Sequence, residues 1–62
     1  MNASLYNYNH DVIFTHAMIL RARHEPGFMT DSEISIYRNR LKSLHSEHPR
    51  RKIWRNIEIT TL

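Results

Sequence analysis

Nine Lys and Arg, six Asp and Glu and five His carry whatever chemistry this 62-residue sequence can perform. His45 and His48 lie three positions apart, so on a helix they would face one ion together, while His16 and His24 fall on an earlier stretch. No Asp or Glu completes a recognised ligand motif with them, and two imidazoles make half a metal site. His48 therefore reads as the end of a packed seam and His45 as its edge, with no metal expected. Cysteine is absent, which removes thiolate nucleophiles and ligands, and one glycine is too few for a phosphate-cradling loop. Asp31 and Glu33 are accounted for by a helix start, so no pair of carboxylates is left for acid and base roles. The sequence predicts no enzyme, no cofactor and no small-molecule substrate, because so short a chain can hardly enclose a pocket of the usual size.

The cations offer more. Arg38 and Lys42 stand one turn apart on a helix, Arg40 points to another side, and Arg50, Arg51, Lys52 and Arg55 follow around Trp54. Such a group can contact phosphates, with Trp54 stacking on a base or wedging between bases. The plainer reading is solvent-facing charge around a Trp54 core plug. A formal net charge of +3 fits either.

The elements that must position these groups start from Thr30-Asp31-Ser32-Glu33, which has the form of a capping box. Met29 and Ile34 fall where a hydrophobic staple would close over the first turn. Ile34, Tyr37, Leu41, Leu44 and His48 then recur at steps of three and four, the seam of a helix packed lengthwise on another. This predicts a helix over about 30–48, ended by Pro49. A first helix over about 10–24 is expected, capped by Asn7 or Asn9, with Asp11 in its first turn and Arg21, Arg23 and His24 at its end. Strand at 12–14 or 18–20 is the alternative for so apolar a run. Between the helices, at 25–29, Glu25-Pro26-Gly27 predicts a type II turn, since Gly supplies the positive φ. After Pro49, the segment 49–62 reads as a short helix through Ile53, Trp54 and Ile57, or as an extended tail with Ile57, Ile59 and Thr61 alternating. The fold class expected is all-α, one antiparallel helical hairpin.

A chain this short builds a marginal core, and with no cysteine staple self-association is the remaining support. Val12, Ile13, Phe14, Ala17, Met18, Ile19 and Leu20 cover more of the first helix than one partner helix can hide. Ile36, far from the seam, adds a second apolar side. The expected homodimer or partner interface is therefore Val12, Phe14, Met18, Ile19, Ile36 and Trp54. The alternative nucleic-acid surface is Arg38, Lys42, Arg50, Arg51, Lys52 and Arg55. No membrane span and no secretory leader are read in the sequence, so a cytoplasmic location is expected.

Thr30-Asp31-Ser32-Glu33-Ile34 with Tyr37, Arg40-Leu41 and Ile53-Trp54 resembles the pattern of Hha-type nucleoid-associated modulators. The spacing to Arg40-Leu41 and on to Trp54 is about a helical turn shorter each time, and the first helix does not match. In size, lack of cysteine, Asn-rich start and basic helical hairpin, the chain is also similar to small accessory proteins from early regions of temperate, lambda-like bacteriophages. That resemblance implies a non-enzymatic modulator of host or phage development working through protein contacts.

Overall fold

The computed structural model describes residues 6–57 and residue 61. The chain is all-helical: α1 (Tyr8–His24), α2 (Asp31–Glu47) and a 3-10 helix (Lys52–Asn56), with no strand among the described residues. The first helix opens two residues ahead of the expected start because Asn7 takes the cap: its side chain accepts the His10 amide at 3.0 Å. That choice brings Tyr8, ahead of the expected helix start, into the helix, where it is buried. At α2 the capping box is complete. Thr30 Oγ1 accepts the Glu33 amide at 3.2 Å, and the Thr30 amide donates back to Glu33 Oε1 at 2.9 Å. Exchanging such a cap for Ala costs about 1 kcal/mol. His48 ends α2 at φ −144, outside helical geometry, as the following Pro49 requires.

Between the helices Gly27 has φ +88, and the Phe28 amide closes on the Glu25 carbonyl at 3.0 Å. This is the expected turn, with glycine at the position where a Cβ would be strained. The helices pack against each other with opposite direction: Tyr8 meets Leu44 and Asp11 meets Arg40. The core is small. Tyr8, Val12, Ile19, Leu41 and Leu44 are its buried apolar residues, with Tyr37, Ile53, Trp54 and Ile57 packed around them.

The C-terminal segment takes the short-helix form of the two expected, with a different start. Its 3-10 helix is capped by Arg51, with no side-chain bond at the cap, instead of opening at Pro49. The tighter turn still turns Ile53, Trp54 and Ile57 to the core. Of the alternating trio, Ile59 lies outside the described residues, while Thr61 is fully buried. No helix among the described residues is long and apolar enough to cross a membrane.

Candidate functional site

Two surfaces are built on this frame. The first begins with consecutive apolar residues on α1. At about 100° per residue, Val12, Ile13 and Phe14 cannot all face α2. Val12 takes the inward position at 0% exposure, which leaves Ile13 at 55% and Phe14 at 50%. Ile36, off the α2 seam, is 63% exposed, and so is Tyr6. A groove of about 360 Å³ runs between the helices, lined by Asp11, Phe14, Thr15, Ile36, Tyr37 and Arg40. A neighbouring hollow shares Asp11, Phe14 and Arg40 with it and extends to Tyr6 and His10. The two form one apolar face around a single charged pair.

That pair is a small network. Asp11 accepts the Arg40 guanidinium through Nη2 and through Nε at 3.2 Å, the Tyr6 hydroxyl at 2.8 Å and the Thr15 hydroxyl at 3.4 Å. The Arg40 hydrogen bonds, with smaller help from Tyr6 and Thr15, hold the Asp11 carboxyl below the usual carboxylate range against the opposing effect of burial. Donation to Asp11 pushes the Tyr6 phenol up, since ionising it would break that bond and set two anions together. Arg40 is pushed up in turn by its bonds to Asp11. The centre of the face is thus charged but neutral in sum.

The second surface is basic. Arg38, Lys42, Arg50, Arg51, Lys52 and Arg55 are all exposed. Ser35, Arg38, Asn39 and Lys42 line a shallow groove of about 220 Å³ on α2. Arg51 is partly occupied within the chain: its guanidinium lies 4.5 Å from the Tyr8 ring centroid and donates to Asn9 at 3.3 Å. Trp54 is half-buried and committed inward. Its indole N–H donates to the Tyr8 hydroxyl at 3.1 Å and the His48 carbonyl at 3.0 Å, while Tyr8 donates to the Leu44 carbonyl. His45 stands edge-on to Trp54 and His48 edge-on to Tyr8, each at 4.9 Å. These imidazoles serve different aromatic rings, and among the described residues no three His, Cys, Asp or Glu gather as metal ligands.

Of the expected interface residues, Phe14 and Ile36 come together on the exposed face. Val12 and Ile19, at 0% and 2% exposure, belong to the chain's own core and have no surface to give a partner. Met18 is half-buried, and so is Trp54, whose indole N–H is engaged within the chain. Residues of that face missing from the expectation are Tyr6, Asp11 and Arg40. Asp11 and Arg40 are separated by 29 positions and no local pattern joins them.

These observations define a two-helix hairpin clasped by a short third helix, with an apolar face on one side and a basic stripe on another. Compared with known protein families, curated proteins and solved structures, the chain matches none.

Proposed function

We propose that this chain is a non-enzymatic protein-interaction module of the cytoplasm, a self-associating modulator of a host or phage regulatory protein through helix-mediated contacts. The observation that supports it is the face that brings Tyr6, Phe14 and Ile36 together, three large apolar residues half or more exposed, beside a core that holds five buried apolar residues among the described ones. Fully burying a side chain of this kind gives about 1.5–3 kcal/mol, so each half-exposed one leaves roughly 1 kcal/mol to be gained by contact. The face is also free of net charge, which lets it meet an apolar surface, including its own copy, without repulsion.

Sedimentation of the wild type and of Ile36→Asp and Phe14→Asp tests this. The wild type is expected to associate, and each variant to sediment as a monomer with an unchanged helical circular dichroism signal. A wild type that stays monomeric at high concentration would remove self-association. Loss of helicity in both variants would make the face part of the fold instead of a docking surface.

A further inference from the structure

Among the described residues, Asp11, Glu25 and Glu33 are engaged within the chain. Arg40 holds Asp11, Arg21 holds Glu25 at 2.6 Å, and Glu33 completes the α2 cap beside Asp31 in the first turn. From residue 38 to residue 56 the sequence carries Arg38, Arg40, Lys42, Arg50, Arg51, Lys52 and Arg55 against Glu47 alone. Among the described residues, Arg38, Lys42, Lys52 and Arg55 have no carboxylate within ion-pair distance.

Helix geometry groups these four in two pairs, one on α2 and one on the 3-10 helix. Arg38 and Lys42 line the same α2 groove, and His45 continues their side of the helix one turn further. The His45 ring then meets Trp54 of the 3-10 helix. Within that helix, residues three apart eclipse, so Lys52 and Arg55 share one outer side while Ile53, Trp54 and Ile57 turn to the core. The His45–Trp54 contact thus joins the two helices that carry these two pairs of cations, and together the pairs make one basic stripe in our reading. We propose that this stripe binds the phosphodiester backbone of a nucleic acid, separately from the apolar face. Ser35 and Asn39 add hydrogen-bonding groups beside Arg38 and Lys42. With the indole N–H turned inward, Trp54 supports the stripe and does not read bases.

Fluorescence anisotropy of a labelled DNA duplex and of a labelled single-stranded RNA, each titrated with the full chain over a salt series, tests the proposal. With four phosphates contacted, duplex affinity should fall roughly 100-fold between about 50 and about 200 mM salt, a slope of about 0.9 per contact, with a somewhat shallower slope for the single strand. Arg38→Gln with Lys42→Gln, and Lys52→Gln with Arg55→Gln, should each lower the slope by nearly two. Arg21→Gln, at the turn, should leave it unchanged. Binding to the duplex, the RNA or both supports the proposal and names the source. Absence of binding at low salt overturns it. So does a slope indifferent to both double variants, or equal affinity for a polyglutamate chain, which would point to an acidic protein instead.

Discussion

The two ends of the hairpin are held in opposite ways. At the end where Tyr8 lies, the contacts are long-range: Tyr8 to Leu44 spans 36 positions and Trp54 to Tyr8 spans 46. They join three helices through one buried hydroxyl that both donates and accepts. At the turn end the contacts of Arg21 are local. Arg21 pairs with Glu25 four residues on and lies 4.2 Å from the Phe28 ring centroid, both in exposed positions. The first end is fixed by tertiary packing and the second by backbone geometry. Damage at each should follow from that difference.

The largest effect is expected from Trp54→Ala, which opens the closed end. Removing such a side chain typically costs about 3–5 kcal/mol, and half-burial places this one near the lower value. A chain of this length has roughly 3–9 kcal/mol in total, so urea denaturation should show most of its stability gone. At the turn end the largest response should come from Gly27→Ala. Nothing lies within 4 Å of an added Cβ, so the cost is the φ +88 backbone alone, about 1–2 kcal/mol by the same denaturation measurement. A much smaller loss would show the turn relaxing, and the contrast between the ends would weaken.

Tyr8→Phe keeps the ring and deletes the shared hydroxyl. The Trp54 N–H retains the His48 carbonyl, so a loss of about 1 kcal/mol is expected. Arg21→Ala should cost only a few tenths of a kcal/mol, because its ion pair is exposed on both sides.

The smallest effect is acidic. The folded carboxyl of Asp11 sits below its unfolded value near 4, so its contribution is fully present above that pH and is lost as pH falls through the lower folded value. Asp11→Asn should therefore flatten the acid limb of a stability profile and leave neutral pH less stable. A profile unchanged by this substitution would show that the Asp11–Arg40 pair adds nothing to folding.

The difference between the ends also explains what could be read in advance. The α2 cap, the Gly27 turn and the Leu41–Leu44 seam rest on interactions between residues at most a few positions apart, and their residue types state them directly. The same holds for the excess of apolar residues on α1, since Val12, Ile13 and Phe14 are adjacent. Tyr8 was harder: its burial depends on whether Asn7 or Asn9 caps α1, and both suit the role. The C-terminal segment was harder still, because its helical and alternating patterns overlap near Asn56 and only contact with Tyr8, His45 and the core selects between them.

The amino-acid order by itself determined two helices, their boundaries within two residues, the turn between them and the presence of more apolar surface than a hairpin hides. Each follows from nearest neighbours along the chain. Only the tertiary structure decided which apolar residues stay outside, that Asp11 and Arg40 meet at the centre of that face, and that Trp54 points inward. Those depend on the register of one helix against another, a relation between residues about 30 to 46 positions apart that no local periodicity encodes.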